Sequence, residues 1–430
     1  MPAGVTSGPA TASTASGQAA VLTAINILAR AHPGVTLALP DVALMVPCPT
    51  GGTSLLEGCE LLAVAANPDV EVSTARVMPT EIGSIGIGAD AGPASIYAGG
   101  DRWTARTAAT PQEVVPRPSS LLGAGLAVTL ATGFIFRTAL GRPAVRVRGV
   151  SLWSLAPAEA ASGPDSCDPL DVGTVWLIGA GAVGSCLAWW LQFVGVVGAW
   201  TVIDGDVVDA TNLNRSLGLF ATDAGLAGGR AVHKADAAAA LIPGAATCPH
   251  WWHDWAATDP APPDVLVPVA NEYGVRAAVA AYSHPATLHA TTSRNWTAEL
   301  HRHLLGRDGC ISCRLPEGTP SFGCATGQIE PTGTDPGRDA ALPFLSAASG
   351  LLLLAGLLQM QHGHWATHDR NHWRVWFDDT PAVLSGSHWQ CAGSCRATLA
   401  GPVRRAIHGE TRWCYLDPAQ VVETGPTARR

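Results

Sequence analysis

Apolar and polar positions alternate between two kinds of segment along the N-terminal part of the chain. Gln18–Ala31 is apolar around most of its circumference at helical spacing and reads as a helix, while Val35–Leu39 is short and β-prone and reads as a strand. Thr53–Ala66 reads as a second helix and Val70–Arg76 as a strand, followed by short strands near Ile85–Ile87 and Ser95–Tyr97. Pro116 and Pro118 end that run, and Leu121–Ala139 follows as a long apolar helix. The order is an α/β alternation in which no glycine loop follows the first strand so read. Residues 1–18 are rich in Ser, Thr, Ala, Gly and Pro and read as a mobile tail.

Ala156–Asp171, with two prolines, acidic residues and a cysteine, reads as a linker. A second α/β region starts at Thr174 and runs to about residue 310, before a second apolar helix over Ala341–Met360 and a mixed C-terminal segment. The expected organisation is a tail over 1–18, an N-terminal α/β domain over 19–155, a linker over 156–172 and a second domain over 173–430. Each half closes its α/β part with a helix of small and apolar residues, GAGLAVTLATGFIF in one and AASGLLLLAGLL in the other. Two explanations stay open: the first half is a degenerate copy of the second, or small-residue helices simply recur in an alanine-rich chain.

Composition narrows the function. Hydrophobic residues make up 47% and charged residues 14%, enough for buried cores and too apolar for extended disorder. A net charge of −8 argues against a nucleic-acid-binding surface, which would need a basic face. The two long apolar stretches approach the roughly 20 residues of a membrane span, yet both contain Gly and Ser and neither has a one-sided basic flank. They are expected to be core helices, with no membrane partner. Residues 1–18 have neither the basic nor the apolar region of a signal peptide, so a cytoplasmic location is expected. Eleven cysteines, an odd number, are not expected to build a disulfide framework.

The chemistry concentrates after residue 174. The apolar run Thr174–Ile178 suits a buried parallel strand and enters a loop with Gly179, Gly181 and Gly184. Glycines there let the backbone approach a phosphate, and the helix that follows, over Ala182–Val194, aims its N–H groups at the anion. A second strand, Ala199–Ile203, ends at Asp204 and Asp206, where a carboxylate can accept from ribose hydroxyls. On its own this pattern most often signals NAD or FAD. Asn212, Asn214 and Arg215, in N-L-N-R, then add two amides and a guanidinium suited to a triphosphate. Lys234 supplies a second cation; it is the single lysine among 26 Lys+Arg residues.

In this order the residues resemble the ThiF/MoeB/HesA family of ubiquitin-activating-enzyme-like adenylating enzymes, over roughly residues 172–395. The resemblance implies a Rossmann-like adenylation domain with a parallel-rich sheet, preceded here by a second α/β domain. The family's S-N-L-x-R-Q reads T-N-L-N-R-S here, without the glutamine. Its D-N-x-x-x-R motif falls on Asn271, Glu272 and Arg276, so that Asn271 stands where the family has a magnesium-associated aspartate. Cys310 and Cys313 match the family's C-x-x-C-x-x-P knuckle; with Cys391 and Cys395, spaced by three residues instead of two, they form a set suited to a structural zinc, with His388 as a substitute ligand. Cys324 lies where family members often carry a cysteine that can capture an acyl group, although a small buried residue is an equal reading. Cys186 and Cys248 are expected to pack. His289–His303 reads as one strand with His301 and His303 on the same side, and Arg294 is a weaker candidate for contacting a substrate carboxylate.

The expected activity is ATP- and Mg²⁺-dependent adenylation of a carboxylate, the C-terminus of a peptide or ubiquitin-like carrier, with transfer of the acyl group to sulfur or nitrogen. Arg215, Lys234 and Cys324 would be catalytic; Gly179, Gly181, Gly184, Asp204, Asp206, Asn212, Asn214, Asn271 and Glu272 would join them in nucleotide binding. The alternatives are a nucleotide-binding scaffold that has lost turnover and, less favoured, an NAD(P) or FAD oxidoreductase. The family works as paired adenylation domains, so either a homodimer or an intramolecular pair is expected.

Overall fold

A computed structural model of the chain describes residues 1–142, 148–158, 160–165, 168–226, 228–270, 275–280, 286–293, 295–304, 308–309, 311, 341–377 and 384–389. The first half runs β1 (Ala3–Ser7), α1 (Pro9–Ala12), α2 (Ala15–Ala31), β2 (Gly34–Ala38), α3 (Leu55–Ala66), β3 (Glu71–Thr74), β4 (Gly83–Ile87), β5 (Ile96–Asp101), β6 (Thr104–Ala108), α4 (Ser120–Ala139), β7 (Arg148–Ser151) and β8 (Ala156–Pro157). The second runs β9 (Leu170–Ile178), α5 (Ala182–Leu191), β10 (Val196–Ile203), α6 (Lys234–Ala239), β11 (Ala246–Cys248), α7 (Trp252–Ala257), β12 (Val265–Pro268), α8 (Val275–Ala280), β13 (Ala286–Ser293), β14 (Thr297–Leu304), α9 (Pro343–Gln361), β15 (His372–Trp376) and β16 (Leu384–Ser387). Side-chain caps fix the starts of α2 and α3, where Thr14 accepts from Gly17 N and Ser54 from Glu57 N.

Among the described residues each half forms an eight-stranded sheet, ordered β3-β2-β1-β4-β5-β6-β7-β8 and β11-β10-β9-β12-β13-β14-β15-β16. The senses match as well. Pairs from β3 to β5 and from β11 to β13 are parallel, and the remainder are antiparallel. Two halves with one strand order and one pattern of senses favour the duplication over chance recurrence of a helix type.

Residues 1–18, expected as a mobile tail, form β1, α1 and the start of α2. β1 is buried along its whole length between β2 and β4. Its small residues hid the strand from a reading based on bulky β-formers, because a central strand beneath packed helices needs no large side chains. The expected linker over 156–172 contributes β8 at one end and the start of β9 at the other. His289–His303 is not one strand but the hairpin β13–β14, turned at Trp296 with φ 57°.

The loop after β1 changes the reading of the first half. By register, Ser7 pairs with Ile87 as Ile178 pairs with Pro268, so Asp90 occupies the first half's counterpart of position 271. Asp90 accepts from Ala10 N at 2.7 Å, Thr11 N at 3.3 Å and Thr11 Oγ1 at 2.5 Å. Gly8 is required beside it, since a Cβ there would lie 2.3 Å from Asp90 O. A carboxylate from the chain itself therefore satisfies the first N–H groups of this loop. Burial alone would raise the Asp90 carboxyl, but the bonds from Thr11 and Ala10 outweigh it and hold the group below its ordinary value.

The halves join through helices. α2 packs on α4, and α5 on α9, while α4 and α9 pack on each other. Trp189 Nε1 donates to Thr23 Oγ1 at 3.1 Å and Trp190 Nε1 to Ala347 O at 2.8 Å. α4 and α9 are long and apolar enough for a membrane span, but 83% and 100% of their most hydrophobic windows are buried inside the protein. Glycines set the spacing: a Cβ on Gly350 of α9 would lie 2.6 Å from the Cys186 carbonyl carbon, and one on Gly125 of α4 would lie 2.9 Å from the Trp190 ring.

Gly350→Ala is therefore expected to destabilise the protein by about 1–3 kcal/mol, because backbone cannot swing aside. In an open helix interior the same change would stabilise by about 1 kcal/mol. Urea unfolding of both proteins decides the sign, and an unchanged or raised midpoint contradicts this packing.

Candidate functional site

β9 carries buried apolar residues to Ile178, and the chain then turns at Gly179, with φ 97°. A Cβ on Gly179 would lie 2.5 Å from Ala270 N, and one on Gly184 would lie 2.0 Å from Gly179 O. Both positions demand glycine, the first for its backbone angle and the second for the tight crossing of α5 over the loop. Gly181 differs, with no atom within 4 Å of its would-be Cβ. Its missing side chain leaves open space before the positive end of α5.

The carboxylate of Asp204, at the end of β10, accepts from Ala180 N at 2.6 Å and from Asp206 N at 2.9 Å. Burial pushes its carboxyl above the ordinary range; the two N–H bonds and the Lys234 charge pull the other way. The glycine loop is thus anchored to β10 through an acid of raised proton affinity.

Lys234 closes the next link. Its Nζ lies 2.5 Å from Asp206 Oδ2 and its N–H donates to Asp206 O at 2.9 Å. The lysine side chain is 7% exposed and the aspartate 50%, so the cation is buried beside a carboxylate that reaches solvent. Lys234 also opens α6, the end at which the helix dipole disfavours a cation, by roughly 0.3–1 kcal/mol. Asp206 offsets that penalty.

Asp209 and Asn212 cap each other around a 3-10 turn, with Asp209 Oδ1 accepting from Thr211 N at 2.8 Å and Asn212 Oδ1 from Asp209 N at 3.0 Å. Asn212 thus shapes the turn rather than facing solvent. Arg215 is buried, and its Nη1 donates to Thr211 O at 2.5 Å and to Asn214 Oδ1 at 2.8 Å. Bonds from Thr211 hold the Asp209 carboxyl below its usual value against a small burial effect, helped by the charges of Lys234 and Arg215. Both cations therefore act on one carboxylate.

The first half supports this loop. Asn26 Nδ2, on α2, donates to Leu217 O at 3.0 Å. Arg30, one turn further, donates to the carbonyls of Leu213, Leu217 and Leu219, with 2.9 Å to the last, while its Nε bonds Asn26 Oδ1 at 2.8 Å. Burial lowers the Arg30 pKa to about 9, still a cation at neutral pH. The sequence reading missed Arg30, Asn26 and Asp209. The available signals were an amide and a guanidinium four residues apart in the mostly apolar second half of α2, and an acid three residues before Asn212.

Cys186 and Cys248 are buried; burial pushes the Cys186 thiol up to about 12, which leaves it unreactive as a thiolate. His388 Nδ1 lies 2.7 Å from Asp369 O. Asn271, Glu272, Arg294, Cys310, Cys313, Cys324, Cys391 and Cys395 lie outside the described residues, as does the Arg276 side chain.

The ThiF family profile matches residues 156–372, and that of the BilD N-terminal domain matches residues 3–153. A curated relative, the uncharacterized protein y4jF of Sinorhizobium fredii, is 28% identical over 218 residues; the match covers 47% of this chain and 39% of that protein. The chain thus spans well under half the length of that relative. Among solved structures, E. coli MccB with ATP is 14% identical over 52% of this chain and 65% of its own, with a TM-score of 0.39. MccB in complex with N-formylated MccA gives 14% identity, 52% and 67% coverage and a TM-score of 0.40.

Replacing Arg30 by Met would leave several buried carbonyls without a donor, at roughly 1–3 kcal/mol each. Stability is expected to fall, and amide exchange over residues 212–221 to quicken more than exchange over β1 and β4. Uniform exchange across the two regions would show that Arg30 does not hold this loop.

Proposed function

The chain belongs to the ThiF family, and from that premise we propose that it uses ATP to adenylate a carboxylate. The ThiF family is one of ubiquitin-activating-like adenylating enzymes, and this chain carries the parts of such a site in one connected set. The observation that carries the reading is the chain of contacts from Lys234 to Asp206, from Asp206 to Asp204, and from Asp204 to Ala180 of the glycine loop. A dinucleotide site needs the loop and the acid. It does not need a buried lysine set against a helix dipole, nor Arg215 acting with that lysine on the carboxylate of Asp209.

In the proposed reaction an oxygen of the substrate carboxylate attacks the α-phosphate of ATP. The bond between the α-phosphate and the bridging oxygen breaks, leaving acyl-adenylate and pyrophosphate. The phosphates lie against the open space at Gly181 and the N-terminus of α5. Lys234 and Arg215 offset the charge that develops on the leaving pyrophosphate. Asp204, already fixed to the loop, accepts from the ribose. Asp206, Asn271 and Glu272 are the oxygen donors assigned to Mg²⁺, which would neutralise phosphate charge when bound. The substrate class is a peptide or ubiquitin-like carrier with a free C-terminus, and the acyl group passes on to sulfur or nitrogen, with Cys324 as the candidate thiol. Cys310, Cys313, Cys391 and Cys395 are assigned a structural zinc. The joined halves favour a single chain that supplies both members of the adenylation pair.

Asn271 favours one alternative, a subunit that binds nucleotide without turnover, because an amide brings no charge to the metal.

ATP–pyrophosphate exchange in the presence of the carrier tests the reading. Exchange is expected in the wild type, and Lys234→Ala should weaken ATP binding at least about tenfold, or 1.4 kcal/mol. Exchange that appears only in Asn271→Asp would select the non-catalytic alternative. Failure of exchange with every carboxylate-terminated carrier, alongside wild-type ATP affinity in Lys234→Ala, overturns the proposal.

A further inference from the structure

The antiparallel end of the second sheet carries a cluster that the nucleotide site does not use. Strand register sets His289 opposite His301, His301 opposite His372, and Glu299 opposite Arg374. All five point to the sheet face away from α9, since Leu288 and Leu300 approach Gly356 of that helix on the other face. The imidazoles stack, with centroids 4.3 Å apart for His289–His301 and 4.2 Å for His301–His372. His289, His301, His372 and Glu299 are all buried. Burying such a row costs desolvation that apolar residues would avoid.

Within the row, two imidazoles converge on one carboxylate oxygen. Glu299 Oε2 lies 2.9 Å from His372 Nε2 and 3.5 Å from His301 Nε2. The other oxygen, Oε1, is fixed by Thr297 Oγ1 at 2.9 Å and Arg374 Nε at 3.1 Å. His372 Nδ1 lies 3.0 Å from Ser387 Oγ and 3.2 Å from Trp389 Nε1. The three candidate ligand atoms all fall within 4.8 Å of one another. Ligands about 2.0–2.2 Å from a tetrahedral zinc lie roughly 3.3–3.6 Å apart, so small side-chain rotations bring this set to a metal.

We propose that Glu299, His301 and His372 form a binding site for a divalent transition ion of the zinc class, built from other residues than those assigned to the nucleotide or to the cysteine set. The donor set is two imidazoles and one carboxylate, leaving a further position to water or another donor. The supporting contacts have the form that metal sites use. Thr297 and Arg374 orient the carboxylate, and Ser387 can accept from His372 Nδ1–H, which frees the Nε2 lone pair for the ion. Without metal the opposite tautomer serves, with Trp389 Nε1–H donating to Nδ1 and Nε2–H donating to Glu299. Loading therefore moves the single His372 proton from Nε2 to Nδ1, a change of tautomer with no net proton release from the neutral ring. All three ligands sit on adjacent paired strands, a rigid base for such a site.

The test uses the full chain, offered Zn²⁺ or Co²⁺ and freed of excess metal. Metal per chain is measured by mass spectrometry for wild type, His301→Ala and Glu299→Gln. One equivalent is expected to be lost in each variant, with affinity at this site down by more than about 100-fold. In the cobalt form, a d–d band without thiolate charge transfer should vanish in the variants, while any cysteine-site band persists. Glu299→Gln preserves the shape of the cluster, so it decides the matter if His301→Ala does not fold. Equal metal content and equal cobalt spectra in wild type and Glu299→Gln would reduce the cluster to a hydrogen-bond network and overturn the proposal, as would a wild type that takes up no ion outside the cysteine site.

Discussion

Four helices, α2, α4, α5 and α9, are covered from two sides at once, by a sheet and by one another. That double coverage is the constraint on which the rest of the structure depends. A helix with one solvent face can be amphipathic, whereas α4 and α9 are buried around almost their whole circumference and are mostly apolar. Their resemblance to membrane spans is a result of this packing. So is their glycine content, because two layers of helix between two sheets leave room only where side chains are missing.

Several of the polar groups in this layer bond to partners across it. Asn26 and Arg30 of α2 spend their donors on carbonyls of the segment that carries Arg215. Gln359 of α9 reaches Leu152 and Trp153 in the first half, and Arg137 of α4 reaches Phe377 in the second. Each bond crosses between halves. The interior of the chain is thus not neutral glue, because the shape of the phosphate-side loop is set by residues from the half that lacks the glycine motif.

What the sequence disclosed depended on how local each cause is. Gly179, Gly184, Asp204 and Lys234 were legible because a turn, a strand end and a helix start are set by nearby residues. β1 was not, since Ala3–Ser7 owes its strand to neighbours on both sides rather than to its own propensity. Arg30 could be seen as an oddity in an apolar helix, but its target lies about 183 residues on, and nothing local names it. The histidines at 301 and 303 were correctly set on one side of a strand. Their partners at 289 and 372 needed the hairpin and the β14–β15 register, which only the folded sheet provides.

The carboxylate of Asp90 gives the duplication a thermodynamic meaning. A dimer of two equal protomers has two anion cradles, and occupancy of one can alter the other. Here the cradle after β1 already holds an anion, a carboxylate tethered to the chain itself. The first half is locked in its filled state. On the proposed reading, an anion at the second half meets no competing cradle within the same chain, because the first is closed by the chain's own carboxylate.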